Sequence, residues 1–300
     1  MTSSTRPQLI LFDYDFSPFA QKIHLLLACC ALPFSRCEQP PLLPRPTLER
    51  LGITYRRIPV LAMGKDVYCD TTAIIEGVLG RLASGFPRTR AEKAYESFGR
   101  LLFNSSLGLV GKAPDEAIMK DRATIFPQLC RPDIHTLRPS ALAELRANFT
   151  IVEKDFLSAG AWVGGVTMSL DDVHVGFVVR WILKRMQIEK VPGFGKDEFP
   201  KIYHWVEQLP KSTPTEISQE DAVKNILSSS YAVGLPKWDD NDHLGIEEGA
   251  VVTVESSDAT PGAHPQAGKL VGVSMKEVVL ELDNSVRLHF PRQGYIVRKA

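Results

Sequence analysis

The stretch FDYDFSPFAQKIHLLLACC, residues 12–30, decides how this 300-residue chain is read. It overlaps the apolar run QLILFDY (8–14), a strand candidate, and passes through Ser17, Pro18 and Phe19 into a segment of helical spacing. Over 17–32, Ala20, Ile23, Leu27, Cys30 and Ala31 recur at intervals that put them on one helix face. Ser17 suits the N-cap, where its oxygen accepts a first-turn N–H, and Pro18 suits the first helical position. A hydroxyl at a helix N-terminus also suits the stabilisation of an anion. The residues alone leave both roles open.

Reading outward, PFSRCEQ (33–39) is a short second strand, and PPLLPRPTLERLG (40–52) carries four prolines that forbid a long helix, although TLERL (47–51) allows about a turn. IPVLAMGKDVYC (58–69) gives two short strands around a Gly-Lys-Asp turn, and DTTAIIEGVLGRL (70–82) returns to helical spacing. Residues 1–83 therefore form a small α/β domain with a mixed sheet. After the polar linker ASGFPRTRA (83–91), helical patterns fill 90–227, including 90–107, 115–126, 140–160, 169–186, 198–209 and 219–229. From 246 to 300 the period falls to two, and VVLELDNSVRLHF (278–290) reads as a hairpin within a small all-β domain, in form a barrel.

The composition is that of an ordinary globular chain, 44% hydrophobic and 23% charged, with zero formal net charge. That balance points to neither a nucleic-acid partner nor a membrane surface. The longest apolar run, around LLLACCALPF (25–34), is too short to span a bilayer, and MTSSTRPQLI lacks the apolar core of a leader. Five cysteines without a C-x-x-C pair read as reduced thiols of a cytoplasmic protein, and the seven scattered histidines suggest no metal. Asp171, Asp172 and His174 imitate a ligand cluster, but Ser169 with Asp172 reads as a variant capping box.

Three ordered blocks resemble the glutathione S-transferase superfamily. SPFAQKIHLLLA (17–28) resembles the Ser-Pro-Phe helix start of its tau and zeta classes, RRIPVLAMGKDVYCDTTAIIE (56–76) its Val/Ile-Pro-Val-Leu…Glu-Ser stretch, and WVGGVTMSLDDVHVGF (162–177) the entry to its buried helix. The resemblance covers about residues 1–225; the extension beyond them is similar to that of fungal members. It implies a thioredoxin-like glutathione-binding domain (1–83), an all-α C-terminal-type domain (90–227) and the added β domain (246–300). It also implies a homodimer, with glutathione as co-substrate or cofactor.

On that resemblance Ser17 activates the glutathione sulfur, with Tyr14 as the alternate donor. A thiol of pKa roughly 8.5 is mostly protonated at neutral pH, and each unit of lowering takes about 1.4 kcal/mol of differential stabilisation. Pro59 is expected cis, turning the Ile58 backbone toward the cysteinyl part of the tripeptide. Asp70 and Thr71 stand where the family has Glu-Ser, to hold the γ-glutamyl ammonium and carboxylate, and equally suit a plain helix cap. Arg57 is expected at the glycyl carboxylate, with one of Arg56 and Arg57 a solvated charge. Phe16, Phe19, Phe98 and Leu102 are expected to line a pocket for a small apolar electrophile. The function implied is transfer of the glutathione thiolate to such an electrophile, or its isomerase-type use. A non-catalytic binding or assembly protein of the same fold is the alternative, since the departures at 40–46, 57, 70 and 71 leave room for a lost seat.

Overall fold

The structure, a computed structural model, describes residues 6–110 and 116–300; Asp115, at the start of the expected helix 115–126, lies outside them. In chain order the elements are β1 (Leu9–Asp13), α1 (Pro18–Cys29), β2 (Ser35–Glu38), α2 (Pro46–Arg50), β3 (Val60–Met63), β4 (Asp66–Cys69) and α3 (Thr71–Arg81). The helices α4 (Glu92–Ser106), α5 (Glu116–Arg122), α6 (Arg138–Ile151), α7 (Leu170–Lys184) and α8 (Pro200–Gln208) follow. The chain closes with β5 (Thr215–Glu216), α9 (Gln219–Ser228), β6 (Val251–Ser256), β7 (Gln266–Val273), β8 (Glu277–Glu281), β9 (Arg287–Pro291) and β10 (Tyr295–Lys299). Two compact units result, one of residues up to Ala20 with Pro33–Ser84 and Thr213–Ala300, the other of Gln21–Leu32 with Gly85–Ser212.

The first unit is built on one ten-stranded sheet, β10-β6-β7-β8-β9-β4-β3-β1-β2-β5. β1, β3 and β4 are buried along their whole length, as strands covered on both faces must be. The β3–β4 turn needs Gly64 at φ +62°, where a Cβ would stand 2.3 Å from the Ser230 carbonyl oxygen. The C-terminal strands make the expected all-β region, with the 277–291 hairpin in place, but they do not close into a separate barrel. β9 pairs parallel with β4, Val67 opposite Leu288 and Tyr68 opposite His289, and a single apolar core runs from Ile10 and Phe12 to Leu280 and Phe290. Residues 213–228, expected in the helical domain, join this unit too: β5 adds to the β2 edge, and Ala222, Val223 and Ile226 of α9 enter its core.

His289 fastens the added strands. It is buried, its Nε2 lies 3.0 Å from Asp66 Oδ1, its Nδ1 2.9 Å from Glu277 Oε2, and its ring stacks on Tyr68 at 4.5 Å. Burial alone would lower its pKa, but the hydrogen bonds and charges of Asp66 and Glu277 outweigh that and hold it above the ordinary value. The other oxygen of Asp66 accepts from Ala232 N at 2.6 Å and Val233 N at 3.0 Å, which ties down the chain leaving α9.

The second unit is helical. α7 is buried over most of its length and approaches α4 so closely that a Cβ on Gly99 would stand 2.1 Å from the His174 carbonyl oxygen. The capping box is present: Ser169 Oγ accepts from Asp171 N at 3.2 Å, and Asp172 Oδ2 from Ser169 N at 2.9 Å. Asp172 Oδ1 also accepts from Val163 N at 2.8 Å and Trp205 Nε1 at 2.9 Å, so this carboxylate is an internal tie. Glu153, in a π turn after α6, accepts from Lys201 N and Ile202 N and caps α8 from outside. Lys22, only 3% exposed, lies 3.5 Å from Glu96.

Two outcomes are expected. His289→Phe keeps an aromatic ring over Tyr68 but leaves the buried Asp66 Oδ1 without its partner, so urea unfolding should show a loss of about 2–4 kcal/mol at pH about 6. Because the folded pKa of His289 is raised, its contribution is complete below the unfolded value of about 6.5 and fades as pH rises through the folded value; the gap between wild type and variant should narrow as pH rises above about 6.5. Asp172→Ala removes three buried acceptor contacts and should lower stability by about 3 kcal/mol in the same assay.

Candidate functional site

Strand register gathers the expected residues of the first unit. Phe12 of β1 stands opposite Val60 of β3, and Val60 opposite Cys69 of β4. The chain therefore leaves β1 toward Tyr14–Ser17, enters β3 from Arg57–Ile58–Pro59, and leaves β4 toward Asp70–Thr71, all at one end of three adjacent strands. The carboxyl ends of β1 and β4 both feed helix N-termini there, the place where α/β sheets offer backbone N–H groups to anions.

Ser17 caps α1. Its Oγ accepts from Ala20 N at 3.2 Å, its own N–H donates to the Tyr14 carbonyl at 3.1 Å, and it is 2% exposed. Accepting that bond uses an oxygen lone pair; the hydroxyl hydrogen is a separate donor. Tyr14 is half-buried, its ring 4.8 Å from that of Phe16 and 6.0 Å from the Arg45 guanidinium. Phe16 is 45% exposed and Phe19 half-buried. In the helical unit Phe98 packs edge-on to Phe156 at 4.7 Å, and Leu102 is wholly buried in the core.

The Ile58–Pro59 bond is cis, as is Leu43–Pro44 in the proline-broken segment. Arg56 is 3% exposed and the Arg57 side chain 21%, so the expectation that one of them is a solvated charge is corrected. The backbone of this segment is held from below: Arg45, itself 2% exposed, donates to the Arg56 carbonyl and, at 3.1 Å, to that of Pro40.

Asp70 carries the densest local chemistry. It sits at φ +79° and ψ +143°, outside the left-handed helical region and in a conformation that side chains other than glycine rarely adopt. Its Oδ1 accepts from Thr72 N at 2.8 Å, capping α3, whose first residue, Thr71, is 7% exposed. Its Oδ2 accepts from the Tyr295 hydroxyl at 3.1 Å, and that hydroxyl lies 2.8 Å from the Tyr55 hydroxyl. Burial, with the charge of Asp70 adding to it, raises both tyrosines well above their ordinary pKa, so both stay protonated donors. Arg57 Nη2 is 2.5 Å from Asp258 Oδ1. Tyr55, Tyr295 and Asp258 were absent from the sequence-based set, because contacts spanning 201 to 240 residues leave no periodic trace. The cysteines are free, and burial pushes Cys29 up to about 12 and Cys30 to about 11, far from a reactive thiolate.

With fold and site in view, comparison with known proteins is informative. Residues 11–85 match the family model of the glutathione S-transferase N-terminal domain, and residues 102–216 a domain of unknown function (DUF7962). Glutathione S-transferase U4 of Arabidopsis thaliana is 21% identical over 205 residues, 66% of this chain and 83% of that protein. A GST-like protein from Pseudomonas syringae superposes with a TM-score of 0.70 at 21% identity, covering 98% of this chain and all of that one. The tau class enzyme of mango, Mangifera indica, gives 0.51 at 14% identity, covering 67% of this chain and 88% of that one. A thioredoxin-like sheet unit joined to a helical unit defines the fold as that of a glutathione transferase. Residues 11–85 thus match the glutathione S-transferase N-terminal domain family, and the fold of the chain is that of a GST-like protein.

The cap has its own test. Ser17→Ala should lower stability by about 1 kcal/mol and Ser17→Gly by only a few tenths, read as the order of their thermal midpoints.

Proposed function

We propose that the chain is a glutathione-dependent transferase acting on a small apolar electrophile, with the strand ends at Ser17, Pro59 and Asp70 as its glutathione seat. The observation that carries this reading is the register Phe12–Val60–Cys69, which puts a helix-capping hydroxyl, a cis-proline peptide, a carboxylate and a second helix N-terminus on one edge. The rice enzyme GST1, whose structure is a complex with glutathione, shares the fold at a TM-score of 0.50 and 16% identity, covering 74% of this chain and 96% of that one.

In this reading glutathione supplies the nucleophilic thiolate. Ser17 donates its hydroxyl hydrogen to the sulfur while the first N–H groups of α1 favour the anion, together about one to two units of pKa lowering. The Ile58 backbone before cis-Pro59 pairs with the cysteinyl peptide, Asp70 accepts from the γ-glutamyl ammonium, the Thr71 end of α3 holds the γ-glutamyl carboxylate, and Arg57 faces the glycyl carboxylate. Fixing the sulfur beside an apolar electrophile supplies much of the acceleration by proximity. The apolar side chains of the first unit assigned to that electrophile are Phe16, which is exposed, and Phe19, which is half-buried; Leu102, wholly buried in the core of the helical unit, is not available to it. Isomerase-type chemistry uses the same thiolate, and we place the protein in the cytoplasm as a homodimer.

A second reading, a non-catalytic binding protein of the same fold, is favoured by the 2% exposure of Ser17 and by the engagement of its oxygen as a cap. Titration calorimetry with glutathione and turnover of a test electrophile separate the two. For the enzyme, Ser17→Ala should bind glutathione comparably, lose about 10- to 100-fold in kcat/KM at neutral pH, and shift its alkaline rate limb toward the free-thiol value of about 8.5. Unchanged turnover in Ser17→Ala removes Ser17 from the mechanism, and absence of glutathione binding by the wild type favours the second reading.

A further inference from the structure

The C-terminal extension meets the proposed seat at its cationic end. The turn between β6 and β7 carries Asp258, whose Oδ1 accepts from Arg57 Nη2 at 2.5 Å and from Ser256 Oγ at 2.5 Å. The two partners differ in burial: the Asp258 side chain is 66% exposed and that of Arg57 21%. Arg57 is thus a cation held in the first unit's surface, with a loop-borne, solvated carboxylate as its counter-ion.

The loop is anchored to the segment that carries Arg57. Gln266 Oε1 accepts from Thr54 N at 2.7 Å and Tyr55 N at 3.2 Å, Gln266 Nε2 donates to the Gly52 carbonyl at 3.2 Å, and Thr54 Oγ1 donates to the Pro265 carbonyl at 2.9 Å. On the other side of the turn, Glu255 accepts from Gly262 N at 2.7 Å and pairs with Arg298. Both roots being fixed, Asp258 is presented to Arg57 at high effective concentration without being buried there.

We infer that Asp258 is a built-in competitor for the ligand carboxylate at Arg57, so that the C-terminal extension sets the affinity of the glutathione seat. This rests on the glutathione reading given above. A guanidinium fork recognises any carboxylate in the same way, and a glycyl carboxylate arriving at Arg57 must share it with Asp258 or displace it. The exchange is open to an incoming ligand because the Asp258 side of the pair faces water, and an ion pair so solvated is weak, worth about a fivefold factor in an equilibrium. Deleting a side chain at a binding site ordinarily weakens binding; here the sign is reversed.

Titration of wild type and Asp258→Asn with glutathione, and with its monoethyl ester at the glycyl carboxylate, tests this. Asp258→Asn should bind glutathione about three- to fivefold more tightly while its affinity for the ester matches wild type. Thermal melts of both proteins check that the exposed substitution leaves the fold intact. Equal glutathione affinity in the two proteins, or an equal gain for glutathione and ester, overturns the inference and leaves the glutathione seat standing. Absence of glutathione binding by both overturns the seat itself, and the inference with it.

Discussion

The structure depends on how the edge of β4 is closed. An unpaired strand at that position would offer a row of backbone donors and acceptors to any other chain, a hazard that sheets cover or blunt. Here β9 occupies the edge in parallel register, and the closure is pinned by buried Asp66 and His289 with part-exposed Glu277. That array joins β4, β9 and β8, while the second oxygen of Asp66 holds the chain at 232–233. The array's buried members are tolerable there because both ring nitrogens of His289 and both oxygens of Asp66 are answered, while Glu277 keeps contact with water. The result is one sheet and one core, so residues after 246 behave as part of the thioredoxin-like unit rather than as a passenger.

Much of this fold was legible in the sequence because it is written locally. The strand–Ser-Pro–helix passage, the Gly64 turn, the helical spacing of 90–208, the hairpin at 277–291 and the Ser169–Asp172 capping box all follow from periodicity, turn chemistry and cap chemistry within a few residues. Period alone assigns an element its type but not its neighbour. That is why α9 reads correctly as a helix yet joins the sheet unit, and why β6–β10 read correctly as strands yet extend an existing sheet. The arginines at 56 and 57 fail for the same reason: charge predicts solvent, and only tertiary contacts show what covers them.

At the site, local logic reaches its limit in another way. Ser17 and Asp70 are both helix-capping residues and both candidates for ligand contact, and these roles share one geometry. A helix N-terminus needs an acceptor to satisfy its first N–H groups, and the N–H groups that remain are what attract an anion. The sequence signal for a cap and for an anion seat is therefore the same signal. What distinguishes the Asp70 end is its second oxygen: it is taken by Tyr295, a residue of the last strand, itself hydrogen-bonded to Tyr55. A cap alone does not require that support; a carboxylate whose orientation matters benefits from it.

The extension thus touches two residues of the proposed seat by different physics. At Asp70 it works from the core, where the Tyr295 hydroxyl, kept protonated by burial and itself hydrogen-bonded to that of Tyr55, donates to the carboxylate. At Arg57 it works from the solvent side, through the exposed carboxylate of Asp258. A buried contact of the first kind fixes geometry, since moving Asp70 would leave polar groups unanswered. An exposed contact of the second kind adjusts affinity while leaving geometry alone. Strands that close a sheet edge can in this way add both rigidity and tuning to the proposed seat, whose residues come almost entirely from the first eighty.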